Sequence, residues 1–143
     1  MTTAEKILLV DDDVDLVETL RTVLEAAGYR VVAAHDAEQG YAQVGAERPG
    51  LILLDVMMPA ATEGFRLIWQ LRNRPEQYFR TVPIIMLTAI HERTGLRFYP
   101  ESVDGAFKEG EHVPVQDFLD KPVEPALLLE KVRAALTAAW RKG

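Results

Sequence analysis

The segment Leu-Ile-Leu-Leu-Asp-Val-Met-Met-Pro, residues 51–59, contains one acidic residue, Asp55, directly after four aliphatic ones. A continuous aliphatic run of this length is typical of a strand whose two faces are both covered by helices. An uncompensated carboxylate inside such a run would be costly to bury. We therefore expect Asp55 to have a functional role at the end of a buried parallel strand.

Other aliphatic segments of strand length recur on either side of this one, over residues 6–10, 30–34, 83–87 and 115–119. Apolar residues at helical spacing predict helices between and after them: one ended by Gly28, one capped by Asp36 and stopped by Pro49, one over residues 63–72, and one that begins at Pro125. This alternation predicts an α/β fold, a doubly wound five-stranded parallel sheet with flanking helices.

Length and composition narrow the possible classes of protein. The chain has 143 residues, a length that predicts a single domain over residues 1–143. Its formal net charge is -6. It contains no Cys, so disulfides, zinc-thiolate sites and a cysteine nucleophile are excluded. No apolar run approaches the ~20 residues that span a bilayer, and no cluster of basic residues suggests direct binding of nucleic acid. We expect a cytoplasmic protein that does not insert into membranes.

Chemically active side chains follow the predicted strands at their carboxyl ends, namely Asp11, Asp12, Asp55, Thr88 and Lys121. In an open parallel sheet these ends share one edge, where ligands bind. Adjacent carboxylates repel one another unless a cation lies between them, and a site with only oxygen ligands favours Mg²⁺. Each residue alone also has an ordinary structural interpretation. Asp13, which follows the acidic pair, is expected to be a helix N-cap.

Four motifs in this order resemble the receiver domain of two-component response regulators: LLVDDD at 8–13, LILLDVMMP at 51–59, IIMLTA at 84–89 and DFLDKP at 117–122. The resemblance covers nearly the whole chain. It implies the CheY-like, flavodoxin-like strand order 2-1-3-4-5. It also implies that Asp55 is the phosphoacceptor, Asp11 and Asp12 the acidic pair, Thr88 the switch hydroxyl and Lys121 the lysine that pairs with the phosphoryl group.

The resemblance further implies a metal site and a partner. Mg²⁺, for which Mn²⁺ can substitute, would be bound by Asp11, Asp12, Asp55 and the backbone carbonyl of Met57. A histidine kinase or a histidine phosphotransfer protein would donate the phosphoryl group, and a downstream protein would be the target. The chain would then be no conventional enzyme, but a phosphoacceptor with intrinsic autophosphorylation and autodephosphorylation.

Three further family features map onto this sequence. The Lys121–Pro122 bond is expected to be cis, and Phe118 occupies the aromatic position that rotates inward on activation. The resemblance also implies that Met57 and Ile90 flank the path of the attacking water. Because both are apolar, we expect slow loss of phosphate.

The sequence departs from the family pattern in two places. We expect residues 60–64 to form a loop one residue longer than usual, and residues 89–114 to form an atypical insertion in the region of the family's fourth helix. This segment contains Phe98, Tyr99 and Phe107. It is either a surface insertion without function or an adaptable segment that binds a partner. Because the last predicted helix ends near Trp140, we expect no effector domain within residues 1–143.

Two rival interpretations remain open at this point. Asp13, Asp15 and Val17 fit the DxDxV pattern of haloacid-dehalogenase-type phosphatases, although Asp15 falls on the predicted first helix. Alternatively, the chain is a scaffold of receiver fold that no longer switches. The histidines, His35, His91 and His112, match no site of the family, and we expect none of them at a strand end with a partner.

Overall fold

A five-stranded parallel sheet organises the chain. The computed structural model describes residues 5–55, 61–88 and 117–142. The strands are β1 Lys6–Val10, β2 Arg30–Ala34, β3 Leu51–Asp55, β4 Ile84–Thr88 and β5 Asp117–Asp120. They pair in the order β2-β1-β3-β4-β5, and every pairing is parallel. The predicted fold class and strand order are thereby confirmed.

Helices connect and cover the strands: α1 Val14–Ala26, α2 Ala37–Glu47, α3 Ala61–Arg72, α4 Gln77–Thr81 and α5 Pro125–Lys142. The carboxylate of Asp13 accepts from the Leu16 N–H and caps α1, as predicted. After α1, Gly28 has a φ of 101°, a conformation that side chains with a Cβ rarely adopt.

The second helix also begins and ends where the sequence predicts. Asp36 caps α2 by accepting from the Gln39 N–H at 2.7 Å, and Arg48 ends the helix in the left-handed region, just before Pro49. The third helix begins at Ala61, two residues earlier than predicted from the apolar pattern. The expected loop over residues 60–64 is therefore wrong for residues 61–64, which are helical. Helix ends lack intrahelical partners, so the first turn is the part that such a pattern predicts least well.

The core lies on both faces of the sheet because alternate strand residues point to opposite sides. Leu8, Val10, Ile52 and Leu54 belong to the cluster that α2, α3 and α4 cover. Their neighbours Ile7, Leu9, Leu51 and Leu53 belong to the cluster covered by α1 and α5. All residues of β3 are buried, which explains why residues 51–54, before Asp55, are all aliphatic.

The short helix α4 was not predicted. It has only five residues, and its N-cap residue, Glu76, makes no capping hydrogen bond with its side chain. Tertiary contacts stabilise it instead: Phe79 is buried, and the Tyr78 hydroxyl donates to the Pro49 carbonyl at 2.6 Å. An adjacent aromatic pair after Pro75 was the available signal.

Other predicted features are met in part or lie outside the described residues. β5 ends at Asp120, one residue later than predicted, and residues 115 and 116 are not described. The atypical segment 89–114, with Phe98, Tyr99 and Phe107, also lies outside the described part. Among the described helices, none is both long and apolar enough to cross a membrane.

Candidate functional site

Asp11, Asp12 and Asp55 come together at the carboxyl edge of the sheet. Asp11 directly follows β1, and Asp55 is the last residue of the neighbouring strand β3. One carboxylate oxygen from each of the three residues lies within 4.8 Å of the others. Asp11 and Asp55 are buried, with exposures of 1% and 2%, whereas Asp12 is exposed. The predicted convergence of these three residues is present in the structure.

Lys121 supplies the positive charge at this edge. Its Nζ lies 3.2 Å from Asp11 Oδ2 and 3.3 Å from Asp55 Oδ2. The peptide bond between Lys121 and Pro122 is cis, as the resemblance implied. The burial of Lys121 lowers its pKa, but the charges of Asp55 and Asp11 and their hydrogen bonds raise it by more, so that the net pKa is raised. The lysine therefore remains a cation between two buried carboxylates.

The two carboxylate oxygens of Asp11 have different surroundings. Oδ1 accepts from the Asp13 N–H at 2.9 Å. Oδ2 is buried and, among the described residues, accepts no well-aligned hydrogen bond; its contact with Lys121 is an ion pair. A buried carboxylate oxygen without a hydrogen bond is costly unless a cation or a donor satisfies it. Lys121 is one such cation, and no well-aligned donor among the described residues prevents this oxygen from also binding a metal ion.

The pKa of Asp11 is raised to about 6. Burial is the main cause, and the charge of Asp55 adds to it; the Asp13 N–H and Lys121 act in the opposite direction and offset only part of the rise. A shift of this kind, caused by burial together with a like charge, is common at functional sites. It indicates that one lysine does not neutralise the cluster fully.

The donor set fits a hard divalent cation. Three carboxylates supply only oxygen ligands, which Mg²⁺ and Mn²⁺ prefer. Their separation, within 4.8 Å, is close to the ~4 Å between opposite ligands of an octahedral Mg²⁺. A cation that enters the cluster would offset the like charge of Asp55, which is one cause of the raised pKa of Asp11. The residues that the structure describes therefore fit the expected metal.

The remaining predicted site residues are described to different extents. Thr88 ends β4 opposite Asp120, but the placement of its side chain lies outside the described part. Phe118 lies on β5 opposite Met86, is half-buried and packs against the core cluster beneath α2 and α3. Met57 and Ile90 both lie outside the described residues.

One histidine contradicts the sequence-based expectation. His35 directly follows β2, and its Nδ1 lies 3.3 Å from the backbone oxygen of Asp11. The expectation that no histidine lies at a strand end with a partner is therefore wrong for His35. The position of His35 just after residues 30–34 was the available signal, but its partner is 24 residues away and depends on the pairing of β1 with β2. His91 and His112 lie outside the described residues.

Comparison with protein families shows to which family the chain belongs. A model of the response regulator receiver domain matches residues 7–133. The chain belongs to this family. Receiver domains are parts of two-component response regulators, and the acidic cluster of this receiver lies at the strand edge where the resemblance places its phosphoacceptor and metal ligands.

Two curated relatives are similar to most of this receiver. They are the phosphate regulon transcriptional regulatory protein PhoB of Pseudomonas aeruginosa, 34% identical over 91% of the chain, and the alkaline phosphatase synthesis transcriptional regulatory protein PhoP of Bacillus subtilis, 34% identical over 92%. The alignments cover 51% and 48% of those proteins. The receiver thus spans about half the length of the relatives it matches.

Solved structures of other receivers have the same fold. A CheY-like receiver domain protein from Methanospirillum hungatei JF-1 superposes with a TM-score of 0.76 at 27% identity, and the alignment covers 99% of this chain and 100% of that protein. A putative response regulator from Chloroflexus aurantiacus superposes with a TM-score of 0.75 at 31% identity. The alignment covers 94% of this chain and 99% of that protein.

Proposed function

We propose that this receiver accepts a phosphoryl group on Asp55 from the phosphohistidine of a histidine kinase or a histidine phosphotransfer protein. The observation that carries the proposal is the contact of Lys121 Nζ with both Asp11 Oδ2 and Asp55 Oδ2 at 3.2 and 3.3 Å. A nucleophilic carboxylate that lies beside a fixed ammonium and other metal-binding carboxylates has what phosphoryl transfer requires of a protein, namely positioning and electrostatic stabilisation.

Each residue then has a distinct task. The Asp55 carboxylate attacks the phosphorus atom, the P–N bond to the donor histidine breaks, and an acyl phosphate forms on Asp55. Lys121 pairs with the incoming phosphoryl oxygens. Asp11, Asp12 and Asp55, with the backbone carbonyl of Met57, would bind Mg²⁺ or Mn²⁺, which neutralises negative charge on the transferring group when bound.

We also propose that phosphorylation changes the protein surface through Thr88 and Phe118. Thr88, at the end of β4, would donate to the phosphoryl group, and Phe118 on the edge strand β5 would turn into the space left behind. Phosphorylation would then shift a pre-existing equilibrium between two arrangements and change the affinity for a downstream protein. A cytoplasmic location and the intrinsic loss of phosphate by autodephosphorylation belong to the same proposal.

The phosphatase alternative fits the described residues poorly. Its two aspartates would both have to reach one reaction centre, but Asp13 caps α1 through Leu16, and Asp15 lies within α1 and is exposed. Neither belongs to the carboxylate cluster. Repeated hydrolysis of small phosphate esters would nevertheless favour this alternative, because a receiver traps one phosphoryl group per chain.

The deciding experiment is intact-mass spectrometry after incubation with acetyl phosphate and Mg²⁺. We expect wild type to gain the mass of one phosphoryl group and Asp55→Asn to gain none. Asp13→Asn is the matched control, because Asn also caps helices and Asp13 is outside the cluster; it should be phosphorylated like wild type. No gain in wild type would favour the scaffold, and an equal gain in Asp55→Asn would place the phosphoryl group elsewhere.

A further inference from the structure

The backbone carbonyl of Asp11 has a side-chain partner outside the carboxylate cluster. His35 Nδ1 lies 3.3 Å from this oxygen. A carbonyl oxygen can only accept a hydrogen bond, so the contact requires that His35 carries a proton on Nδ1. The contact therefore excludes the tautomer that carries its only proton on Nε2.

This carbonyl belongs to the peptide unit that joins Asp11 to Asp12. Because a peptide unit is planar, its rotation changes the direction of the Cα–Cβ bonds on both sides relative to each other. The Asp11 N–H already donates to the Ala34 carbonyl at 3.0 Å, which fixes the peptide unit before Asp11. His35 restrains the following unit, on which the placement of the Asp12 carboxylate depends.

His35 is itself held in place by the start of α2. Its backbone N–H donates to Gln39 Oε1 at 2.9 Å, and the Gln39 N–H donates to the capping carboxylate of Asp36 at 2.7 Å. These hydrogen bonds hold the segment between β2 and α2 in place. The His35 ring connects this segment to the loop that follows β1.

We propose that His35 is a positioning residue of the metal site: by fixing the Asp11–Asp12 peptide unit, it keeps the two carboxylates directed toward one cation. The inference rests on the proposed function, since it requires that the cluster binds Mg²⁺. His35 need not touch the ion, and it is not part of the described carboxylate group.

The test compares Mg²⁺ affinity in His35→Leu and His35→Asn, measured by titrating MgCl₂ and following the amide NMR signals of Asp12 and Asp13. The Asn amide N–H can occupy the position of Nδ1–H, whereas Leu has similar bulk and no donor. We expect the Kd for Mg²⁺ to rise about fivefold in His35→Leu, the effect of one lost hydrogen bond, and to stay within about twofold of wild type in His35→Asn. Glu38→Gln, an exposed site on α2, should bind like wild type.

Three results would overturn the inference without affecting the proposed function. They are wild-type affinity in His35→Leu, equal loss in His35→Asn, and ¹⁵N shifts of the wild-type imidazole that place its proton on Nε2. The last measurement needs no variant and does not depend on Mg²⁺. If wild type does not bind Mg²⁺ although its Nδ1 carries the proton, both the proposed function and the positioning role fail. If His35→Leu binds Mg²⁺ with the same affinity as wild type, only the positioning role fails.

Discussion

Lys121 Nζ lies 3.3 Å from Asp55 Oδ2 although their strands are not neighbours. Lys121 follows β5, Asp55 ends β3, and β4 lies between them. Since neighbouring strands are ~4.8 Å apart, the lysine stem has to extend over the end of β4 to reach the carboxylate. A long, flexible side chain with a compact charge is suited to this task. The same ammonium contacts Asp11. Its removal should therefore change both the rate of phosphoryl transfer and the affinity of the carboxylates for Mg²⁺.

Replacement of Lys121 by Met keeps most of the stem and removes the charge. We expect phosphoryl uptake from acetyl phosphate to slow at least ~10-fold, because the cation that pairs with the transferring oxygens is lost. We expect Mg²⁺ affinity to rise about three- to tenfold near pH 8, since the cluster becomes more negative. Phosphorylation rates from intact mass and an NMR titration with MgCl₂ measure the two effects.

Lys131→Met is the matched control for this prediction. Lys131 lies on α5 and forms an ion pair with Asp117 at 2.8 Å. Among the described residues, the lysine that pairs with Asp11 and Asp55 is Lys121. Both the rate and the Mg²⁺ affinity should stay near those of wild type. Weaker Mg²⁺ binding in Lys121→Met would contradict the view that the ammonium and the metal share the same negative charge.

The pKa of Asp11, raised to about 6, predicts a pH-dependent affinity for Mg²⁺. A proton and a metal compete for the same carboxylate. The affinity should therefore fall as the pH is lowered through 6, by roughly fivefold between pH 7.5 and pH 5.5. Isothermal titration calorimetry at several pH values would reveal the trend, and an affinity independent of pH over this range would refute it.

The same shift predicts that Asp11→Asn stabilises the fold at neutral pH. The pKa of Asp11 is about 6 in the folded protein and 3.8 in the unfolded chain. The protonated carboxyl group therefore favours folding below pH 3.8. This contribution to stability is lost as the pH rises through 6. We expect Asp11→Asn to be more stable than wild type by ~2 kcal/mol at pH 7.5, with the difference shrinking toward pH 4. Urea unfolding at both pH values provides the measurement.

Met57 and Ile90 are predicted to lengthen the lifetime of the phosphorylated state. Neither apolar side chain can orient or activate a water molecule, whereas polar replacements can. The double variant Met57→Asn with Ile90→Glu should lose its phosphoryl group roughly 10-fold faster. Decay followed by intact mass after removal of the phosphodonor tests this, and an unchanged decay rate would remove the idea.

Tyr78→Phe should destabilise the fold without affecting the site. The Tyr78 hydroxyl donates to the carbonyl of buried Pro49 at 2.6 Å, and burial raises the pKa of this hydroxyl. Its removal leaves that carbonyl without its donor, at an expected cost of ~1–2 kcal/mol in the free energy of unfolding. Urea unfolding measures the loss, and Mg²⁺ affinity should not change.

Tyr29→Phe provides the comparison. Tyr29 is also half-buried, but its hydroxyl makes no hydrogen bond with the part of the chain that the structure describes. The free energy of unfolding should change by less than ~0.5 kcal/mol. A similar loss in both variants would mean that ring packing, and not the hydroxyl, explains the effect at Tyr78.

The sequence alone determined the sheet, most helix positions and the identity of the charged residues at the strand ends. These features depend on local patterns: aliphatic runs for buried strands, apolar spacing for helices, and a capping side chain such as Asp36 a few residues from its partner. The motif around Asp55 indicated a functional residue because a carboxylate next to a run of buried aliphatic residues has few structural explanations.

Tertiary structure alone decided the relationships between distant residues. Helix α4 forms because Tyr78 and Phe79 pack against neighbours that its five residues cannot supply. The contact of His35 with Asp11 and the reach of Lys121 over β4 depend on strand pairing and register. The raised pKa of Asp11 depends on burial and on the nearby charge of Asp55. Burial and the distances between charges arise only when the chain is folded, so no local pattern could reveal them.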